Sequence, residues 1–252
     1  MSNPLSSSAA LQALDPLVVK VAIEHLDKLV FNDEDIEHFI AYLNAPHILR
    51  EPMVSLDTFL DSKYYLGIVD EVFPEMRKQA KSIIDGGFQQ AAVVAGIGAG
   101  KTTLSEILVC YEAHKLLCLR DPHKYFHMAD DKPISIMNMG TSATQALDNA
   151  FAGIKKLIST STFFKKQHPL ILSGRIRFRD QNILLLSGNS KSTTALGYNI
   201  FCAVLDEAAF FLDTDLKNVA GEIYTAMQRR IVSRFGKHGL LIMISSPNYE
   251  GD

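Results

Sequence analysis

Short apolar runs alternate along the chain with segments in which apolar residues recur at helical spacing. Each run is brief and is bounded by polar or turn-forming residues, as is typical of buried strands. The runs lie at residues 91–94, 134–137, 183–186, 200–205 and 240–244. The helical segments lie at residues 74–84, 104–119, 146–158 and 222–235. This alternation predicts an α/β fold, with a largely parallel sheet covered by helices on both faces.

Two stretches depart from that alternation. Residues 175–179 alternate basic and apolar side chains, and a polar turn at 180–182 separates them from the run at 183–186. This arrangement predicts a β-hairpin. Residues 55–67 are polar and aromatic and carry no clear periodicity.

The front of the chain differs from the rest in charge. Residues 1–61 hold 10 acidic and 3 basic side chains, a net charge of −7, although the whole chain carries only −3. Residues 15–45 have helical apolar spacing after a loose N-terminal tail. We therefore expect a helical acidic segment over residues 1–54 and one domain over residues 55–252.

Length and composition exclude several classes. The 252 residues are 47% hydrophobic, enough for a sizeable core, yet no apolar stretch approaches the roughly 20 residues that span a bilayer. The N-terminus lacks the pattern of a secretory signal, and three cysteines form no disulfide framework. These features favour a protein of the reducing cytoplasm without a membrane partner.

One group of residues has conceivable zinc-binding chemistry. Cys110, His114 and Cys118 recur every four residues, and His123 and His127 follow. Helical spacing stacks the first three on one face, although the spacing matches no common zinc pattern. The interpretation we favour is the buried face of a helix followed by a polar loop that begins at Pro122.

A glycine-rich turn after the first apolar run carries the strongest functional signal. It comprises Ala95, Gly96, Ile97, Gly98, Ala99, Gly100, Lys101, Thr102 and Thr103. Such a turn between a strand and a helix presents backbone N–H groups to phosphates, and the lysine reaches the terminal oxygens. The threonine after the lysine presents a hydroxyl to Mg²⁺, while the helix dipole favours the anion. The motif predicts a nucleoside triphosphate bound with Mg²⁺.

A second motif ends the apolar run at 200–205. Asp206 and Glu207 follow the run directly, so they are expected at the carboxyl edge of the sheet, where α/β proteins bind ligands. There an aspartate can hold Mg²⁺ and a glutamate can orient and deprotonate the attacking water. The run at 240–244 leads similarly into Ser245, Ser246, Pro247 and Asn248, whose small polar side chains are suited to contact the γ-phosphate side of the site.

Taken together, these motifs resemble the large terminase subunit of tailed bacteriophages, the ATPase motor that packages double-stranded DNA into procapsids. The resemblance covers roughly residues 55–252, and Asp206-Glu207-Ala208-Ala209-Phe210 is its most specific piece. It implies a P-loop NTPase fold of the ASCE or RecA-like kind, with ATP and Mg²⁺ as ligands. It also implies that Lys101 and Thr102 bind the phosphates and Mg²⁺, and that Asp206 supports the metal. Glu207 would be the catalytic carboxylate.

The resemblance extends to coupling and to partners. Ser245, Ser246 and Pro247 would couple hydrolysis to DNA movement. The implied partners are double-stranded DNA bound without sequence preference, other copies of the chain in a ring, the portal and the small terminase subunit. The implied location is the host cytoplasm, at the procapsid.

The chain also departs from the terminase pattern. Many terminases carry an arginine inside the phosphate loop, where Ile97 and Ala99 stand here, and Leu196-Gly197 replaces a frequent Arg-Gly. Arg229, Arg230 and Arg234 are candidates for the missing arginine, supplied in cis or by a neighbouring subunit, unless they form a solvated helix face. The chain stops just after the coupling motif, so we expect the nuclease activity of such proteins on a separate domain or subunit.

A local basic segment bears on the DNA hypothesis. Residues 151–191 hold eight basic side chains against Asp180 alone, a net charge of +7: Lys155, Lys156, Lys165, Lys166, Arg175, Arg177, Arg179 and Lys191. They either contact DNA phosphates or solvate the surface. Two other functions remain open, a helicase-like ATPase acting on single strands and a nucleotide-dependent assembly or switch protein. Duplex-stimulated hydrolysis would distinguish the packaging motor from both.

Overall fold

The computed structural model describes residues 48–96, 98–140, 150–189, 197–208 and 219–247. Within these ranges a seven-stranded sheet forms the centre of the molecule. Its strands are β1 (Gln90–Val94), β2 (Ile134–Gly140), β3 (Leu170–Ile171), β4 (Arg175–Phe178), β5 (Ile183–Asn189), β6 (Asn199–Asp206) and β7 (Leu240–Ser245). Each apolar run of the sequence lies inside one of these strands.

Helices separate most of the strands. They are α1 (Leu56–Asp61), α2 (Pro74–Asp85), α3 (Lys101–Cys118), α4 (Pro122–Tyr125), α5 (Phe151–Thr160), α6 (Thr162–Lys165) and α7 (Val219–Phe235), with short 3₁₀ turns at Val69–Glu71 and Gly236–His238. The predicted helices at 74–84 and 222–235 match α2 and α7 closely. The helix predicted over 146–158 lies partly outside the described residues, and α5 corresponds to its described part.

The order of the strands across the sheet is β1-β7-β6-β2-β5-β4-β3. The pairs β1/β7, β7/β6, β6/β2 and β2/β5 are parallel, while β4 pairs antiparallel with both β5 and β3. The predicted parallel sheet and the predicted hairpin are both confirmed. Since β7 lies between β1 and β6, the strands that carry the two strongest motifs flank the strand that carries the third.

Helices cover both faces of the sheet, as predicted. On β6, Cys202 and Val204 belong to the larger apolar cluster, which includes residues of α3 and α5. Ala203 and Leu205 point to the other face and share a cluster with residues of α7. This alternation explains why the whole run is apolar: a strand buried on both faces has no solvent-exposed side.

Helix α1 was not evident from the sequence. Ser55 caps it, because the Ser55 hydroxyl oxygen accepts a hydrogen bond from the N–H of Thr58 at 3.3 Å. Its buried residues Leu56, Phe59 and Leu60 pack into the larger cluster. Asp57 and Asp61 form ion pairs with Arg77 of α2. A six-residue helix stabilised mainly by such contacts leaves too short a periodic signal to recognise.

The helices predicted within residues 15–45 lie outside the described residues. Of the proposed N-terminal segment, residues 48–54 are described, and they pack onto the domain: Leu49 forms an isolated antiparallel bridge with Leu119, and Val54 is buried in the larger cluster. The division of the chain at residue 54 stays a prediction.

The face of α3 considered for zinc lies in the core. Cys110, His114 and Cys118 are buried, and the His114 ring packs against the rings of Phe59 and Phe163. The Cys118 sulfur lies 3.5 Å from Nδ1 of His114. No cluster of three or more potential metal ligands occurs among the described residues. Nor does this part of the chain contain a helix with the length and apolar content needed to cross a bilayer.

Candidate nucleotide-binding site

The glycine-rich turn lies at the carboxyl edge of the sheet. Directly after β1, the N–H of Ala95 donates to the carbonyl of Ser245 at 3.0 Å, which ties the start of the loop to the end of β7. Gly100 is the N-cap of α3 and has a φ of +81°, a left-handed conformation that glycine adopts without strain. A Cβ at Gly100 would also lie only 2.1 Å from Cε of Met76. The left-handed backbone therefore favours glycine at position 100, whereas the flexible end of the Met76 side chain could move to admit a Cβ. Ile97 lies outside the described residues.

Lys101 begins α3 and turns back over the loop. Its Nζ donates to the carbonyl of Gly96 at 3.2 Å and lies 3.7 Å from Oε1 of Glu207. The side chain is 9% exposed, compared with 27% for that of Glu207. The lysine and the glutamate, 106 residues apart in sequence, thus meet at one edge of the sheet.

Glu207 follows β6 in an uncommon backbone conformation. Its φ of +55° is left-handed, which costs an L-residue roughly 1–2 kcal/mol. Its Oε2 accepts a hydrogen bond from the N–H of Ser246 at 3.2 Å, directly after β7. All three predicted motifs therefore converge on this carboxylate: the loop through Lys101, the acidic pair itself, and the serine pair through Ser246.

Asp206 ends β6 beside Glu207 and is partly buried. Burial and the neighbouring Glu207 carboxylate raise the pKa of Asp206 to about 6, while the Glu207 N–H and Lys101 act in the opposite direction. A carboxylate that loses solvation in the protein gains from a bound cation. Asp206 and the exposed Thr102 supply the hard oxygen donors that Mg²⁺ prefers, so the residues present fit Mg²⁺.

Sequence reasoning missed two polar residues near this edge. Glu106 lies on α3 four residues after Thr102, hence on the same helix face, and burial raises its pKa to about 7, with Asp206 and Glu71 adding to the rise. Asn138 of β2 is 1% exposed and donates to the Ser105 hydroxyl at 2.6 Å. The spacing of four residues from Thr102 could have identified Glu106. The position of Asn138, a polar residue in an otherwise apolar strand, could have identified it as well.

Comparison with models of known protein families identifies one family. The family described as "Uncharacterized protein MJ0330, N-terminal P-loop domain" matches residues 25–252. The chain belongs to that P-loop family. A search of curated protein sequences finds no match.

A search of solved structures finds phage large terminases among the similar proteins. The HK97 bacteriophage large terminase matches with a TM-score of 0.54 and 19% identity, over 76% of this chain and 37% of that one. The large terminase of a thermophilic bacteriophage gives 0.44 and 13%, over 69% and 39% of the chains. The ATPase domain of the Thermus phage P74-26 large terminase gives 0.39 and 12%, over 63% and 60%. The chain thus spans well under two thirds of the HK97 protein, with which it shares a P-loop NTPase fold.

The candidate arginines lie away from the phosphate loop of this P-loop domain. Arg230 donates to the carbonyl of Tyr198 at 3.5 Å, just before the amino end of β6, and Arg234 lines a cleft with Asn199 of the same strand end. Because Lys101 and Glu207 lie at the carboxyl edge, this placement contradicts supply of the missing arginine in cis by Arg230 or Arg234. Arg229 is exposed, and supply by a neighbouring subunit stays a prediction for all three.

The basic segment does not form one surface. On β4, Ile176 and Phe178 pack into the larger cluster, so the exposed Arg175 and Arg177 point to the opposite face of the sheet. Lys155 of α5, a helix on the larger-cluster side, donates to the carbonyl of Ser173 at 3.2 Å. Lys166 lies over the Tyr64 ring, 4.9 Å from its centroid. Arg175 and Arg177 therefore lie on one face of the sheet and Lys155 on the other, and Lys191 lies outside the described residues.

Proposed function

We propose that this P-loop domain hydrolyses Mg·ATP to drive the translocation of double-stranded viral DNA into a procapsid. The observation that carries the proposal is the approach of Lys101 Nζ to within 3.7 Å of the Glu207 carboxylate, which in turn accepts the N–H of Ser246. A lysine, a carboxylate and a polar turn at one sheet edge are among the groups that P-loop enzymes use for phosphoryl transfer to water.

The Lys101–Glu207 ion pair gives each side chain a defined role. A triphosphate offers the Lys101 ammonium a stronger anion than one carboxylate, so nucleotide binding is expected to break the pair. The released Glu207 carboxylate can then accept a proton from the attacking water. Bound Mg²⁺, held by Thr102 and Asp206, would neutralise charge on the phosphates.

The Ser246 hydrogen bond suggests how hydrolysis is coupled to movement. The N–H of Ser246 binds the same Glu207 carboxylate that Lys101 contacts. A change in Glu207 as nucleotide binds or leaves would therefore reach the turn of Ser245, Ser246 and Pro247 directly. We infer that this turn transmits the structural change on nucleotide binding or release to the surface that binds DNA.

DNA contact on this account is made through phosphates rather than bases. The exposed arginines of β4, Arg175 and Arg177, and the lysines of α5, Lys155 and Lys156, are two alternative surfaces for it. A homo-oligomeric ring, the portal, the small terminase subunit and a separate nuclease are further proposed partners, inferred from the resemblance of the motifs to terminases.

The test compares ATP hydrolysis by the full chain alone, with duplex DNA, and with single-stranded DNA of the same sequence, at two salt concentrations. The proposal predicts stimulation by duplex that fades as salt rises, because phosphate contacts release counterions. Preferential stimulation by single strands would contradict packaging and favour the helicase-like function. Turnover indifferent to any DNA, with ATP-dependent oligomerisation, would favour the switch.

Paired variants locate the contact surface in the same assay. Alanine at both Arg175 and Arg177 is compared with alanine at both Lys155 and Lys156. Loss of phosphate contacts should lower the salt dependence of DNA stimulation by about one unit of slope per contact, and only for the pair that faces DNA. If neither pair changes the slope, these residues do not form the DNA surface.

A further inference from the structure

The most exposed large apolar side chain of the described residues belongs to the segment that leads into α2. Phe73 is 65% exposed, and Val69, four residues earlier, is 47% exposed. Phe73 is the N-cap of α2, and its side chain makes no capping hydrogen bond there. The ring therefore contributes neither to the core nor to the start of the helix, and what lies next to it becomes informative.

The length and packing of α2 place Phe73 beside the phosphate loop. Helix α2 has 12 residues and ends at Asp85, and β1, with five residues, begins at Gln90. The helix is about 18 Å long and the strand about 17 Å, so a helix that runs back along β1 begins level with the carboxyl end of the strand. Met76 shows that it does, because a Cβ at Gly100 would lie 2.1 Å from Cε of Met76. Phe73, three residues before Met76, lies on the same side of the helix.

The proposed reaction determines which end of the triphosphate lies near Phe73. Glu207 accepts a proton from the water that attacks the γ-phosphate, so the γ-phosphate lies towards β6. Strand β7 separates β6 from β1 in the sheet. The α-phosphate, and with it the ribose and the base, therefore lies on the side of β1 and α2. A base that leaves the loop on this side reaches the exposed ring of Phe73.

Phe73 offers a base a ring face without a hydrogen-bonding group. Stacking on an aromatic ring stabilises every nucleobase, because each has a π-face, and the two-ring purines have more area to stack than the pyrimidines. Discrimination between adenine and guanine requires donors or acceptors directed at the edge of the base, which neither Phe73 nor Val69 has. Recognition through this ring thus selects purines as a class.

We propose that Phe73 stacks on the base of the bound nucleotide, with Val69 beside it, and that the site accepts purine nucleoside triphosphates, ATP and GTP alike. This inference rests on the proposed hydrolysis of Mg·ATP and assigns a residue to the base, which the phosphate motifs do not contact. Stacking is equally strong in the ground state and in the transition state, so Phe73 contributes to nucleotide binding and not to the chemical step.

The absence of tryptophan from the chain allows a direct measurement. Phe73→Trp introduces a single indole at the proposed contact, and a purine that stacks on it should quench its emission. We expect saturable quenching by Mg·ATP and by Mg·GTP. Tripolyphosphate with Mg²⁺, which has the phosphate chain without a base, should displace the nucleotide and restore the emission. Phe88→Trp is the matched control, because Phe88 is 55% exposed but precedes the amino end of β1, and its indole should not respond.

Phe73→Ala separates nucleotide binding from chemistry. It should weaken the binding of Mg·ATP to the full chain about tenfold, measured by calorimetry, and leave the binding of tripolyphosphate unchanged. The KM for ATP should rise by the same factor while kcat is retained, as expected for loss of a contact made equally in both states. Phe73→Tyr keeps the ring face and should behave like the unaltered chain.

The results distinguish this inference from the proposed function. If Mg·ATP binds the unaltered chain but neither quenches Phe73→Trp nor binds Phe73→Ala more weakly, the stacking contact is wrong and the ATPase proposal stands. If Mg·ATP does not bind the unaltered chain, both are wrong. A strong preference for Mg·ATP over Mg·GTP would overturn recognition of purines as a class.

Discussion

At the scale of single residues, two residues of the candidate site are in unfavourable states. The rest of the fold must offset the free energy that these states cost. Glu207 has a left-handed backbone, and Asp206 is a partly buried carboxylate whose pKa is raised. Strain and desolvation of this kind often mark functional positions, because they are retained only where the surrounding structure imposes them. The sequence identified both residues through their position after an apolar run. It could not predict their conformation or titration, since both depend on the elements packed around them.

Glu106 allows a test of how burial of a carboxyl group near the site affects folding stability. Burial raises its pKa to about 7, so the folded protein holds a proton that the unfolded chain releases above its ordinary carboxyl pKa of about 4.3. Folding stability therefore falls as pH rises from about 4.3 through 7. Glu106→Gln should remove this slope and be more stable than the unaltered protein at about pH 8, by about 1–2 kcal/mol after allowance for solvent screening. Urea unfolding at about pH 5 and pH 8 measures it.

The exposed Glu75→Gln is the control for this comparison: Glu75 lies in the first turn of α2, so its replacement should not raise stability at about pH 8 and should lower it by at most about 1 kcal/mol. A Glu106→Gln effect that is the same at both pH values would show that the substitution acts through packing instead.

At the scale of elements, sequence periodicity predicted the strands and long helices because these are buried and long enough to repeat. Each apolar run became a strand, and β2 extends beyond its run through Asn138 to Gly140. The short elements α1, α4, α6 and β3 have no more than six residues each. Capping and tertiary contacts stabilise such elements, so they leave little local signal. Sheet order could not be derived from periodicity, which says nothing of which strands are neighbours.

The packing of α7 on the sheet depends on one glycine between them. A Cβ at Gly239 would lie 2.3 Å from Cγ2 of Ile231 on α7 and 3.0 Å from the backbone carbonyl of Phe201 on β6. We expect Gly239→Ala to push the helix from the sheet and to destabilise the fold by about 1–3 kcal/mol. Thermal or urea unfolding measures this loss.

Gly197→Ala is the matched control, because a Cβ there meets no atom of the described residues within 4 Å and the φ of Gly197 is not positive. Equal stability of the Gly239 variant and the control would show that this part of the interface adjusts freely.

At the scale of the whole molecule, the strand order creates the site. Because β7 lies between β1 and β6, the phosphate loop, the serine turn and the acidic pair share one edge, although they are spread over about 150 residues of sequence. The resemblance of the motifs to terminases led us to expect this convergence, whereas composition and periodicity gave only the fold class. The division of the basic residues between two faces was not predictable, since it depends on which way β4 faces.

The most direct test of the account measures ATP hydrolysis and nucleotide binding together in three variants of the full chain. Glu207→Gln should lose hydrolysis by at least about 100-fold, as expected for loss of a general base, while it still binds ATP. Lys101→Ala should lose hydrolysis and bind ATP more weakly. The exposed Glu222→Gln is the control and should retain both activities. Full hydrolysis by Glu207→Gln would contradict the claim that Lys101 and Glu207 act on one triphosphate.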